Sequence, residues 1–130
     1  MLRRILLVED HDGLRLLLGN FLSQSFDVVG ARNGFEALTW LSNGLMPDAI
    51  IAGNDMPEMD AAGLLGHLRN TGLWSNVPVV VLGEVENSEQ EWLRYKRLGA
   101  SDFVNKPFDP LELREKLLRL TAGVPENAVQ

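Results

Sequence analysis

"RILLVED", residues 4–10, decides how this chain is built. Ile5, Leu6, Leu7 and Val8 form an apolar run with no polar face. A strand with one solvated face alternates polar and apolar residues; one covered on both faces does not. The run stops at Glu9 and Asp10, so the strand is expected to end in two carboxylates. "DAIIA" (48–52) and "VPVVVL" (77–82) read the same way. The proline of the latter sits near its start, where a missing N–H is tolerated. "DVVGA" (27–31) and "DFVN" (102–105) are two further short strands.

Helical stripes fill the gaps. Leu14, Leu17, Leu18, Phe21 and Leu22 recur at helical spacing, as do Phe35, Leu38 and Leu41 after Gly34. Leu64, Leu65 and Leu68 mark a third helix, and Trp92, Leu93, Tyr95 and Leu98 a fourth. Asp109 is a good N-cap and Pro110 a good first residue for a fifth, which carries Leu111, Leu113, Leu117, Leu118 and Leu120. Five strands alternating with five helices predict an α/β fold: a doubly wound parallel sheet, helices on both faces, right-handed crossovers. Residues 1–121 are expected to form one domain, and 122–130 a tail or the start of a linker. In such sheets a site forms beyond the carboxyl ends of the strands. Glu9, Asp10, Gly53, Asn54, Asp55, Gly83, Glu84 and Lys106 stand there.

Composition narrows the function. The 130 residues are 45% hydrophobic and 23% charged, with no cysteine, so disulfides, thiolate catalysis and cysteine zinc sites are excluded. His11 and His67 are too far apart to pair by spacing. The net charge of −6 argues against direct nucleic-acid binding, and Arg94, Lys96 and Arg97 read as a solvated helix face. No apolar run is long enough to span a membrane, and "MLRRILLVED" is too short for a signal core, so a cytoplasmic location is expected. "VEDHDG" (8–13) is acidic and lacks a glycine-rich phosphate loop, which argues against a nucleotide-binding enzyme.

Several segments together resemble the receiver domain of two-component response regulators, the CheY-like family. They are "ILLVED" (5–10), "PDAII" (47–51), "MPEMD" (56–60), "VPVVVL" (77–82) and "GASDFVNKPFDPLELREKL" (99–117). The resemblance covers residues 3–121 and implies a flavodoxin-like fold with strand order 2-1-3-4-5. In that family an aspartate ending the third strand accepts a phosphoryl group from a histidine kinase. An acidic pair binds Mg²⁺ and a lysine steadies the phosphoryl. A Ser/Thr after the fourth strand and an aromatic on the fifth relay the change. By position, Glu9 and Asp10 match the acidic pair, Lys106 the lysine and Phe103 the switch aromatic.

Two positions depart from that pattern. Three residues before Met56-Pro57 stands Gly53, which offers no nucleophile, and the Ser/Thr position is Gly83, which offers no hydroxyl. Losing a carboxylate at about 4 Å from a cation removes roughly 4 kcal/mol of gross attraction at an effective dielectric near 20, before desolvation and water offset it. Mg²⁺ binding by Glu9, Asp10 and the main chain near Asp55 is therefore expected to be weak or absent. The resemblance implies a signalling module that is not an enzyme, requires no cofactor and acts through protein contact without phosphorylation. Its partner is expected to be a histidine kinase, an output domain or a second copy, with no nucleic acid or membrane engaged directly. The surface expected is the fourth helix, fifth strand and fifth helix, bearing Trp92, Tyr95 and Arg114; the other reading of that stretch puts Trp92 and Leu98 in the core. The alternative is a phospho-accepting regulator using Asp55 or a displaced site.

Overall fold

Five parallel strands pair in the order β2-β1-β3-β4-β5. The computed structural model describes residues 2–83 and 88–123. In chain order the elements are β1 (Arg4–Val8), α1 (Asp12–Leu22), β2 (Asp27–Ala31), α2 (Gly34–Ser42), β3 (Ala49–Gly53), α3 (Ala61–Arg69), β4 (Val79–Gly83), α4 (Ser88–Leu98), β5 (Asp102–Asn105) and α5 (Pro110–Leu120). Glu84 and residues 124–130 of the expected tail lie outside the described residues.

The apolar runs behave as their lack of a polar face requires. Leu6, Val8, Ile50, Ala52, Val79 and Val81 project into one core, together with Leu41 of α2, Leu64 of α3 and Tyr95 of α4. Ile5, Leu7, Ala49, Ile51, Val80 and Leu82 project into the other, against Leu18 and Leu22 of α1 and Leu113 and Leu117 of α5. Each fully buried aliphatic side chain contributes about 1.5–3 kcal/mol. The helices supply narrower stripes than the spacing suggests: Leu17, Phe35 and Leu111 are exposed. A helix lying on a sheet buries one face, and these three stand at its margin. Leu98 is likewise exposed rather than core.

β3 and β4 start later than the apolar runs and end on the two glycines. The Asp48 carboxylate accepts the Arg4 amide N–H at 2.7 Å, just before β3. Pro78 has no N–H, so the β4 ladder opens at Val79. At the other end the Asn54 amide donates to the Leu82 carbonyl at 2.8 Å, carrying the pairing through Gly53.

Arg69 staples the far side of the fold. Its guanidinium donates to the Gly99 carbonyl through two nitrogens, at 3.0 and 2.8 Å, and to the carbonyls of Trp74 and Ser75 at 3.2 and 3.1 Å. Gly99 has φ +104, and a β-carbon there would lie 2.8 Å from the Arg69 side chain. Removing the guanidinium strands three carbonyls. Arg69→Ala is expected to lower the free energy of urea unfolding by about 2–3 kcal/mol, and Arg69→Lys to restore only part of it. A loss below about 0.5 kcal/mol, ordinary for a surface change, contradicts this role.

Candidate functional site

Parallel register brings the strand ends together. Val8 pairs with Ala52, Gly53 with Leu82, and Gly83 with Asn105. Glu9, Gly53, Gly83 and Lys106 therefore share one edge of the sheet. The Lys106 amide donates to the Gly83 carbonyl at 2.7 Å. The Lys106–Pro107 peptide is cis.

Lys106 Nζ donates to Glu9 Oε1 at 3.3 Å, closing a contact across 97 residues of sequence. Glu9 is only 3% exposed. Its other oxygen accepts the His11 amide N–H at 2.9 Å. Arg15 donates to the Glu9 carbonyl at 2.8 Å and bridges to Asp12 at 2.6 Å, which holds the Asp12 carboxyl below the usual carboxylate range. His11 caps α1, its Nδ1 accepting from the Leu14 amide at 3.0 Å.

A β-carbon built on Gly53 would lie 3.2 Å from Glu9 Oε1 and 3.6 Å from Met56 Cγ. Glu9 thus rests its carboxylate against the space that a side chain at 53 would enter. A buried carboxylate is costly unless paired and hydrogen-bonded, and Lys106 and the His11 amide do both. Asp10 is exposed, as is Asp55 in the loop after β3. Neither makes an ion pair among the described residues. The two adjacent carboxylates are placed differently, Glu9 turned in and Asp10 in solvent. No group of three or more His, Asp or Glu side chains able to hold a metal occurs among the described residues. Glu9 is already bound to Lys106, so the donor set fits a divalent cation poorly.

Gly83 meets Phe103. A β-carbon on Gly83 would fall 2.0 Å from Phe103 Cζ, inside the ring's own volume. The ring stacks on Tyr95 at 5.8 Å between centroids and tilts against Trp92 at 6.4 Å. The Tyr95 hydroxyl donates to the Asn54 carbonyl at 3.3 Å. These contacts correct one of the residues assigned to a partner surface. Tyr95 is 1% exposed, because its ring fills the space between α4 and β5. Arg114 is half-buried and lies over the Phe21 ring of α1 at 5.1 Å. Trp92 is half-buried against Phe103. The outward groups on this flank are Leu93, Arg94, Lys96 and Arg97 of α4, and Glu112, Glu115 and Arg119 of α5.

Sequence reasoning had no sign of the Tyr95–Asn54 and Arg15–Glu9 contacts, which depend on tertiary placement. It expected a loop after β3 but not the tight turn within it. There Glu58 has φ +68, and the Met59 amide closes back on the Pro57 carbonyl at 2.7 Å, a strained three-residue turn. The Gly34 amide donates to the Met59 carbonyl at 3.0 Å, and a β-carbon on Gly34 would meet Met59 Cγ at 2.7 Å. Gly34, Gly63 and Pro57 were the available signals of this close approach.

Removing Lys106 strands a buried carboxylate. Lys106→Met is expected to cost about 2–4 kcal/mol in urea unfolding, below the full buried-pair range because the lysine is partly exposed. Adding Glu9→Gln should recover much of that loss, and a purely additive double variant contradicts the pairing. Burial raises the Tyr95 phenol above its usual 10.0, with Arg94 opposing and Asp60 and Glu91 adding to the rise. The fold favours the neutral phenol. Its stabilisation is fully present below about pH 10 and lost as pH rises through the higher folded value. Tyr95 is the single tyrosine, so tyrosinate absorbance reads it alone. Its midpoint should lie higher in the folded protein than in urea, and equal midpoints contradict the burial.

Comparison with known proteins follows the same lines. The family model of the response regulator receiver domain matches residues 5–118. The signal receiver domain of a signal transduction histidine kinase from Syntrophus aciditrophicus superposes with a TM-score of 0.86 at 31% identity, covering 98% of this chain and 96% of that one. Chemotaxis protein CheY1 of Helicobacter pylori is 28% identical over 88% of this chain and 93% of its own length. Histidine kinase P4 of Formosa agariphila is 33% identical over 87% of this chain, which spans only 8% of that kinase. The chain spans 7% and 43% of two further relatives, a hybrid histidine kinase of Dictyostelium discoideum and the probable transcriptional regulator ycf27 of Guillardia theta. The sheet order, the edge on which the strand ends gather and the family match agree: this chain belongs to the response regulator receiver domain family of two-component signalling.

Proposed function

We propose that this receiver domain passes its signal by protein–protein contact and takes no phosphoryl group at the end of β3. One observation carries the reading: the Glu9 carboxylate rests beside Gly53 and is ion-paired to Lys106. Acyl-phosphate formation needs a carboxylate in line with the donor phosphorus and cationic groups to take up charge on the equatorial oxygens. Here the nucleophile is missing at 53, and the cation already has an internal counter-ion. Gly83 has no hydroxyl to contact a phosphoryl oxygen. The domain on this reading is not an enzyme and requires no cofactor, and Glu9, Asp10 and the main chain near Asp55 hold Mg²⁺ weakly or not at all.

Receiver domains interact with histidine kinases and output domains. This chain spans a small part of its kinase relatives and 56% of the phosphate regulon regulatory protein PhoB of Escherichia coli. The partner we assign is a histidine kinase, an output domain or a second copy, engaged through the outward groups of α4, β5 and α5. None of the described helices is long and apolar enough to cross a membrane. A cytoplasmic setting suits a module of this family.

The test exposes the protein to Mg²⁺ with acetyl phosphate, and separately with beryllofluoride, beside a Gly53→Asp variant. Intact mass and amide spectra are recorded for both. The unmodified chain is expected to gain no phosphate and to show no shifts around the strand ends. A phosphate adduct on it, mapped to Asp55 or Glu9, would establish the phospho-accepting alternative instead. Gly53→Asp reports whether the rest of the cleft still supports the chemistry.

A further inference from the structure

β2 is an edge strand, paired on one side only among the described residues. The Asp27 amide donates to the Arg3 carbonyl at 2.9 Å, and the Ala31 carbonyl accepts from the Glu9 amide at 3.0 Å. Pairing groups alternate sides along a strand, so residues 27, 29 and 31 turn theirs to β1. Val28 and Gly30 therefore each turn an N–H and a C=O to the open side. Native edges are commonly blunted by lysine, proline or a bulge. "DVVGA" carries none of these, and its register with β1 runs unbroken from Asp27 to Ala31. Gly30 is exposed and Val28 half-buried. Beside them lies a hollow of about 220 Å³, walled by Arg15, Leu16 and Gly19 of α1, and Leu16 is 64% exposed.

We propose that a second copy of this chain adds to β2 in antiparallel fashion, making one sheet continuous across a two-fold axis. The edge complements itself. Val28 stands opposite the second copy's Gly30, and Gly30 opposite its Val28, with Val29 on the axis. Each such pair exchanges two hydrogen bonds, so both outward residues of each copy are satisfied. Any other antiparallel register keeps at most one such pair. The side chains suit the same register. Gly30 leaves room for the second copy's Val28, which comes to lie beside Leu16. Asp27 faces the second copy's Ala31, next to its Arg32, so a carboxylate meets a cation at either end. These side chains are 47% and 67% exposed, and their bridges to Arg4 and Glu36 are of the solvated kind that contribute little. The pairing lies at the opposite edge of the sheet from β5 and leaves the flank of α4, β5 and α5 to a kinase or output domain. It does not rest on how the domain is switched.

The test is sedimentation equilibrium of the whole chain up to roughly 1 mM, the range that a small interface requires. A monomer–dimer equilibrium is expected. Amide hydrogen exchange across the same series should slow at Val28 and Gly30 as the dimer fills. It should stay constant at Val29, whose N–H already faces β1. Asp27→Arg and Arg32→Asp each set like charges across the axis and should weaken association by about fivefold. Mixed in equal amounts, the two variants restore opposite charges at both ends and should regain it, which a change within one fold cannot do. Gly30→Pro removes an outward donor, leaves the β1 ladder intact and should give a monomer; it stands in where a charge variant fails to fold. A monomer at every concentration overturns the second copy as occupant, and an extended peptide that slows exchange at Val28 and Gly30 would then assign the edge to another protein's strand. A dimer whose exchange slows on α4 and α5 instead, charge variants that associate unchanged, a mixture that regains nothing, or a Gly30→Pro dimer each overturns the proposal as well.

Discussion

A parallel sheet covered on both faces is the constraint from which the rest follows. It obliges β1, β3 and β4 to be apolar at nearly every position, and it brings their carboxyl ends out along one edge. The polar side chains of the cleft accordingly stand just beyond those ends. Glu9 and Lys106 meet there although 97 residues separate them. Their meeting comes from the register of the strands and not from any local motif.

At that edge the balance of charge is internal. Glutamate is one methylene longer than aspartate, which lets residue 9 reach across to the lysine while its backbone stays on β1. The missing side chain at 53 leaves the space into which it leans. A buried ion pair of this kind adds little to stability compared with an apolar pair of the same volume. Breaking it is what costs. The pair therefore acts as a fixture that holds both side chains in place across the cleft.

Much of the architecture was legible in the sequence, because burial on both faces erases the polar–apolar alternation of a strand. "RILLV" and the run at 77–82 had no other reading, and Asp109-Pro110 announced the last helix. The strand-end residues were legible for the same reason. The roles of side chains near the surface were less so. Tyr95 and Trp92 carry a composition typical of interfaces, yet the choice between core and partner depends on the rotation of α4, which helical spacing does not resolve. The seating of Arg114 over Phe21 depends likewise on how α5 is rotated. The inward turn of Glu9 could be read only once the neighbouring glycine was seen as space rather than as a lost group.

The Gly53 and Glu9 arrangement also bears on which substitutions the strand ends accept. A β-carbon at 53 would border only the tip of the Glu9 side chain at 3.2 Å, and an aspartate there would share Lys106 with that carboxylate. A β-carbon at 83 would fall 2.0 Å from Phe103 Cζ, so the ring has to shift before any side chain enters. The two strand-end glycines are therefore unequal: one borders a flexible carboxylate, the other an aromatic ring that must be displaced.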